Sequence, residues 1–306
     1  MRRRKIFAGE VFVLYISAKG GYNSMNAYGI SFLRGKIRMK ERGLAPMAKT
    51  IAIINQKGGV GKTTTAVNLS AIMADMGQRV LIVDLDPQGN TTSGLGMAVE
   101  DKSIYEVLMG RIQMKDLVEK TDYKNLSIAG SDVRLADAEL QLVGVDKREF
   151  RLKTALAAIA KDFDFIIIDC PPSLSLLTIN ALAAADGVLI PIQCEYYALE
   201  GVASLIQTVQ RVKKTINPRL EIEGVLLTML DGRTNLGLQV VEEVKKHFRK
   251  QVYGTVIPRT VRLGEAPSHG EPIHIYDKRS AGTTAYVELA KEVLKRNGIK
   301  VKDYKL

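Results

Sequence analysis

The feature that most restricts this chain is a short segment near residue 50. Thr50–Asn55 (TIAIIN) is a β-branched apolar run of strand length, and Gln56-Lys57-Gly58-Gly59-Val60-Gly61-Lys62-Thr63-Thr64 follows it directly. The stretch from Thr64 to Met76 then carries apolar residues at helical spacing, Val67, Leu69, Ala71, Ile72 and Met76, and stops at Gly77. Strand, glycine loop and helix in that order form a cradle for phosphate. Glycines without a Cβ let backbone N–H groups converge on phosphate oxygens, and the helix N-terminus adds its dipole. Gly58, Gly59, Val60 and Gly61 would line the loop, Lys62 would reach the β- and γ-phosphates, and the Thr63 hydroxyl, followed by Thr64, would meet Mg2+.

The loop departs from the common pattern in one respect. A glycine is usual five positions before Gly61, and here that position is Gln56; next to it stands an additional lysine, Lys57.

Two further apolar runs end in acids. Val80–Val83 leads into Asp84-Leu85-Asp86-Pro87-Gln88-Gly89-Asn90, and Phe165–Ile168 leads into Asp169-Cys170-Pro171-Pro172-Ser173. Carboxylates leaving the C-terminal ends of parallel strands sit where doubly wound sheets bind ligands. Farther on, Gly187–Pro191, Ile222–Thr228 and Gly254–Ile257 read as strands, and Leu199–Thr215, Gly237–Arg249 and Thr283–Arg296 as helices. The fold class this predicts is α/β, a single doubly wound, mostly parallel sheet flanked by helices.

Composition supports a packed core: 46% of the 306 residues are hydrophobic and 25% charged. The two cysteines, Cys170 and Cys194, exclude a disulfide framework, and no Cys/His cluster suggests a metal site. The net charge of +11 is uneven: ten Lys/Arg against two acids in residues 1–46, fifteen against twenty in 47–204, nineteen against eleven in 205–306. The domain organisation expected is a basic N-terminal extension, residues 1–46, disordered or the product of a mis-assigned start, ahead of a catalytic domain over 47–306. Its apolar run Val11–Ile16 is far shorter than the ~20 residues of a membrane span.

Taken in order, KGGVGKTT, VDLDPQGN, IIIDCPPSL, QCEYYALEG, LLTMLDGRTNLG and VIPRTVRLGEAPSHG resemble the ParA/Soj group of chromosome and plasmid partition ATPases, within the deviant Walker A class. The resemblance covers 47–306. It implies ATP and Mg2+ as cofactors, with Lys57 reaching across an ATP-dependent sandwich homodimer to the partner's phosphates. It also implies that Lys62 binds phosphate, Asp84 lies near the Mg2+ shell with Thr63, Asp86 activates the attacking water, and Asp169 holds Mg2+. Thr228, Asp231, Pro258 and Arg259 would lie in the loops that hold adenine. Cys170 could be read as an iron–sulfur ligand, because the nitrogenase iron protein shares this loop chemistry; both cysteines, however, fall in segments that resemble the partition branch.

The same resemblance implies slow ATP hydrolysis stimulated by a ParB-type centromere-binding protein, sequence-independent binding of double-stranded DNA, and a cytoplasmic, nucleoid-associated location. Candidate phosphate-reading cations are Arg211, Lys213, Lys214, Arg233, Lys245, Lys246, Arg249, Lys250 and Arg262; Lys278 and Arg279 also lie in loops. The extension is too short for the helix-turn-helix domain of the larger plasmid relatives. The main alternative is a MinD-like positioning ATPase bound to membranes by a C-terminal amphipathic helix. Tyr286–Leu306 offers only a small apolar face, Leu289, Val293 and Leu294, ahead of Lys300, Lys302 and Lys305, so no stable membrane association is expected. A small-molecule kinase or amidoligase on the same fold is a further alternative, for which no residue here names a substrate.

Overall fold

The computed structural model describes residues 47–195, 200–301 and Tyr304. The N-terminal extension, the YYAL part of the QCEYYALEG segment, and Lys302, Lys305 and Leu306 lie outside the described residues.

One eight-stranded sheet organises the rest, in the order β3-β4-β2-β5-β1-β6-β7-β8. The strands are β1 (Lys49–Ile53), β2 (Val80–Asp84), β3 (Glu119–Lys120), β4 (Leu126–Ala129), β5 (Phe165–Asp169), β6 (Gly187–Gln193), β7 (Glu221–Leu230) and β8 (Val252–Pro258). Every pairing is parallel except β3 on β4, which closes one edge antiparallel. β2 and β5 are buried at every position, as expected of parallel strands covered on both faces.

Helices cover both faces. Against one lie α1 (Lys62–Asp75) and α11 (Ala281–Arg296); against the other lie α3 (Ile104–Leu108), α5 (Arg151–Ala157), α6 (Leu176–Ala184), α7 (Glu200–Thr215) and α8 (Asn235–Phe248). The short helices α2 (Asn90–Gly94), α4 (Ala138–Gln141), α9 (Arg262–Glu265) and α10 (Ile273–Tyr276) belong to connections. α1 is buried nearly all round because it packs between the sheet and α11, where the Thr65 and Tyr286 hydroxyls bond at 3.1 Å. It ends where Gly77 takes φ 91°, a left-handed turn that glycine adopts without strain. α8 differs. It buries Val240, Val244 and Phe248 and leaves Lys245 and Lys246 in solvent.

Each strand-to-helix connection leaves the carboxyl edge, and each helix returns to the amino edge. From β1 the chain crosses to β2 on one side; from β5 it passes to β6 on the other. This reversal opens a crevice beyond β5, β1 and β6, where such sheets bind ligands. Register sharpens it: Asp169 is level with both Ile53 and Asp84.

Candidate functional site

The loop after β1 is built from backbone constraints. Asn55 ties it down from both sides, its Oδ1 accepting from the Lys57 amide at 3.0 Å and its Nδ2 donating to the Pro191 carbonyl at 2.7 Å. Gly59 and Gly61 take φ 72° and 88°, where a side chain would be strained. Gly58 is different: its φ is ordinary, and a Cβ placed there would meet no atom of this chain within 4 Å.

The two lysines of the loop point opposite ways. Lys62 is buried and turns inward, its Nζ donating to the Lys57 carbonyl at 3.3 Å. Burial pulls its pKa down, and Asp169, Cys170 and Asp86 pull it back up. Lys57 points outward; its side chain is 42% exposed and lies 3.9 Å from the Glu195 carboxylate. Glu195 also accepts from Arg259 at 2.8 Å and Gln193 at 2.6 Å.

Beneath the loop, Asp169 Oδ2 accepts from the Thr63 and Thr91 hydroxyls at 2.7 and 2.8 Å. Its other oxygen, Oδ1, is buried with no partner. Asp84 spends its oxygens within the chain: Oδ2 accepts from the Thr92 amide and hydroxyl at 2.9 and 2.7 Å, and Oδ1 from the Asp86 amide at 3.2 Å. Burial pushes Asp84 up to about 7 and Asp169 up to about 6. Asp86 is 8% exposed and is steadied by the Gln88 amide at 3.0 Å.

A hard divalent cation fits this donor set. The unpartnered Asp169 oxygen beside Thr63 supplies oxygen ligands, while among the described residues no group of three or more His, Cys, Asp or Glu forms a cage. Mg2+ suits few protein ligands, because it fills its octahedron with phosphates and water. Cys170 is buried beside Asp169, which raises its thiol pKa well above the usual value and keeps it a thiol.

The residues assigned to adenine are gathered only in part. Thr228 is buried and donates to the Val60 carbonyl at 2.9 Å, bracing the phosphate loop. The Arg259 amide joins the loops after β7 and β8 through the Leu230 carbonyl at 3.1 Å, next to Pro258. Asp231 is held down to about 2 by hydrogen bonds from Arg233.

The candidate DNA cations fall on two edges. Arg211, Lys213 and Lys214 end α7, and Lys245, Lys246, Arg249 and Lys250 end α8, so topology sets them at the amino edge. Arg233 and Arg262 lie at the carboxyl edge with the phosphate loop, each facing an acid: Asp231 at 2.7 Å for Arg233, Glu265 at 3.0 Å and Asp277 at 3.4 Å for Arg262.

Several organising residues were not legible in the sequence. Thr91 and Thr92, directly after DPQGN, hold Asp169 and Asp84; Glu195 bridges Lys57 and Arg259. Hydroxyls one helical step past an acid-bearing strand were the only signal for the threonines.

Glycine loop, inward lysine and strand-end acids on a doubly wound sheet define a P-loop nucleotide-binding protein of the deviant Walker A type. Known proteins agree. A family model described as an AAA domain matches residues 48–222. The chain is 60% identical over 249 residues to the sporulation initiation inhibitor protein Soj of Bacillus subtilis (strain 168), covering 81% of this chain and 98% of that protein. It is 52% identical over 259 residues to the chromosome partitioning protein ParA of Myxococcus xanthus (strain DK1622), covering 84% and 92%. Among solved structures, the cobyrinic acid a,c-diamide synthase of Mycobacterium smegmatis, with bound ATP analogue and magnesium, superposes with TM-score 0.73 at 37% identity over 84% of this chain and 100% of that one. The chain belongs to the Soj/ParA family of chromosome-partitioning ATPases.

Proposed function

We propose that residues 47–306 form an ATP-dependent DNA segregation ATPase. With ATP and Mg2+ bound, two copies close as a sandwich across their carboxyl edges, hold double-stranded DNA without regard to sequence, and release it after slow hydrolysis stimulated by a ParB-type partner. The working place is the cytoplasm, on the nucleoid.

The observation that carries this reading is the divergence of the two lysines. Lys62 serves the phosphates of its own chain. Lys57 points away beside Gly58, a glycine that neither backbone conformation nor internal packing explains. A second copy approaching closely accounts for both: it requires a bare backbone at Gly58, and it places a cation of one copy against the γ-phosphate of the other.

Mg2+, when bound, neutralises charge on the phosphates. Asp169 and Thr63 are the groups that would hold it. Asp84 fixes Asp86 through its amide, and Asp86 accepts a proton from, and orients, the attacking water. Thr228, Asp231, Pro258 and Arg259 line the loops where the base would lie. Arg233 and Arg262 share the edge on which the copies would meet, so closure would join them across the interface and tie DNA binding to ATP; the amino-edge lysines and arginines would add diffuse attraction.

Among the described residues, those after α11 give the MinD-like alternative no support. Ile299, Val301 and Tyr304 pack on the α1–α11 core, and the Tyr304 hydroxyl bonds Asp75. Among the described residues no helix is long and apolar enough to cross a membrane.

Sedimentation with random duplex DNA under ATP, ADP and no nucleotide, at two salt concentrations, tests the function. Binding that requires ATP and falls steeply with salt is expected. No binding under ATP removes DNA as the track.

A further inference from the structure

Two glycines far apart in the chain meet backbone to backbone beside the acids. Gly96 and Gly270 take φ 71° and 66°, and a Cβ built on Gly270 would come within 2.7 Å of the Gly96 Cα and 3.0 Å of its nitrogen. A Cβ on Gly96 would lie 3.3 Å from the Gly270 carbonyl oxygen. Left-handed backbone favours glycine at each position, and the contact adds a second requirement, that neither carry a side chain. Gly270 closes the segment VIPRTVRLGEAPSHG, whose GEAPSHG end has no part in the function proposed above.

The contact bears on α2. That helix has five residues, too few to hold itself, and is fixed from outside. At its start Gly89 takes φ 63° against the Ser131 carbonyl, where a Cβ would come to 2.9 Å, and the Ser131 amide donates to Thr92 Oγ1 at 3.1 Å. Just past its end Gly96 rests on Gly270. Between these supports the Thr91 hydroxyl, fully buried, donates to Asp169 Oδ2 at 2.8 Å.

The turn that carries Gly270 is also anchored to the helix after the phosphate loop. Ala266–His269 makes one turn of 3-10 helix, the Gly270 amide closes on the Pro267 carbonyl at 3.1 Å, and the Tyr123 hydroxyl donates to the Gly270 carbonyl at 3.1 Å. Three residues on, the Ile273 amide donates to Asn68 Oδ1 at 2.6 Å, and Asn68 Nδ2 donates to the Thr64 carbonyl at 2.8 Å in the first turn of α1. This segment therefore touches both helices that serve Asp169: α1, which supplies Thr63, and α2, which supplies Thr91. Both hydroxyls bond Oδ2, which leaves Oδ1 as the oxygen without a partner.

We propose that Gly96 and Gly270 are positioning residues of the Mg2+ site: their contact sets how far α2 stands from α1, so that Thr91 holds Oδ2 of Asp169 and leaves Oδ1 free for the cation. The proposal rests on the reading of Asp169 as a Mg2+ ligand. Groups that orient a metal ligand from behind change metal affinity by about 10–100-fold when removed. A side chain at the contact displaces α2 from the turn, and its effect at Asp169 should match loss of the Thr91 hydroxyl itself.

The test titrates Mg2+ against binding of a fluorescent, non-hydrolysable ATP analogue by the full chain, with EDTA as the metal-free point. Thr91→Val should raise the Mg2+ concentration at half-effect about tenfold or more, Thr91→Ser should restore the native value, and Gly270→Ala should match Thr91→Val. Gly96→Ala, where the approach is less severe, should move it the same way and add little on top of Thr91→Val, because both act on one hydrogen bond. Gly298→Ala places a side chain on the same left-handed backbone, φ 76°, in open space and should keep the native value. Affinity in EDTA should be unchanged in the glycine and threonine variants. A native Mg2+ requirement in both Gly96→Ala and Gly270→Ala, or additive effects of Gly96→Ala and Thr91→Val, overturns the proposal; so does Gly298→Ala behaving like Gly270→Ala. Should Gly270→Ala not fold, Gly96→Ala alone and combined with Thr91→Val decides. Asp169→Asn separates the two readings. A native Mg2+ requirement there removes the metal reading and the proposal with it, whereas a weakened one beside native glycine variants removes the proposal alone.

Discussion

The two edges of the sheet treat positive charge differently. At the carboxyl edge, Lys57, Arg233, Arg259 and Arg262 each face a carboxylate between 2.7 and 3.9 Å away. At the amino edge, Arg211, Lys213, Lys214, Lys245, Arg249 and Lys250 pair with no acid among the described residues; only Lys246 does, with Glu243 one helical turn earlier. A paired cation is held in one place, which suits contacts that must form in one nucleotide state and not another. An unpaired cation on a helix end keeps its charge uncompensated by the chain and suits attraction to a phosphate backbone with no fixed register. On the function proposed above, the difference would separate a switching edge from an attracting edge.

The largest expected effect lies at the switching edge. Lys62→Ala removes the inward cation and should abolish nucleotide binding, read by equilibrium dialysis with labelled ATP; retained binding would break the assignment of that edge. Gly58→Val comes next. Its side chain meets nothing in its own chain, so ATP binding should persist while ATP-dependent dimerisation disappears.

The comparison itself is sharpened by two sets of variants read in one DNA assay. Arg233→Ala with Arg262→Ala should remove the ATP-dependent part of binding. Lys245→Glu with Lys246→Glu, Arg249→Glu and Lys250→Glu should weaken binding in every nucleotide state and lower the salt slope by about 0.9 for each phosphate no longer neutralised. Identical behaviour of the two sets would dissolve the distinction between edges.

A smaller effect concerns pH. His274 is buried under α1 with its Nδ1 unpartnered, and burial lowers its pKa below 6.5, against Asp75, which raises it, and with Lys278, which lowers it. The unfolded chain takes up a proton at about 6.5 that the folded chain refuses. His274's own contribution to stability therefore falls as pH drops below 6.5, while Asp84 and Asp169, whose raised pKa values let the folded chain protonate first, act in the opposite sense. His274→Gln should therefore gain stability relative to the native chain as pH falls from about 7.5 to 5.5, read as the difference between their thermal melts.

What could be read from the sequence followed from repetition of simple patterns. β2 and β5 are apolar runs ending at an acid, β1, β6, β7 and β8 each carry an apolar stretch of strand length, and α7, α8 and α11 have clear apolar faces, so their boundaries fell within a few residues. The stretch from Glu100 to Phe163 gave no such signal. There α3, α4 and α5 are each seven residues or fewer, β3 is two residues, and turns of 3-10 helix join them, so neither period lasts long enough to show. In the site, glycines, lysines and strand-end acids stood out because a phosphate and its metal ion would call for those residue types directly. Thr91, Ser131 and Glu195 serve those groups only through partners 39 to 138 residues away along the chain, Ser131 with Thr92 and Glu195 with Lys57 at the two extremes, and such pairs exist only once the sheet has formed.

The central claim is that Lys57 and Gly58 face a second copy. Light scattering after size exclusion, in Mg-ATP, measures this on Asp86→Ala, in which hydrolysis should be slowed, with Gly58 intact and with Gly58→Val added. The account predicts a dimer for the first and a nucleotide-bound monomer for the second. A dimer in both, or a monomer in both, would contradict it.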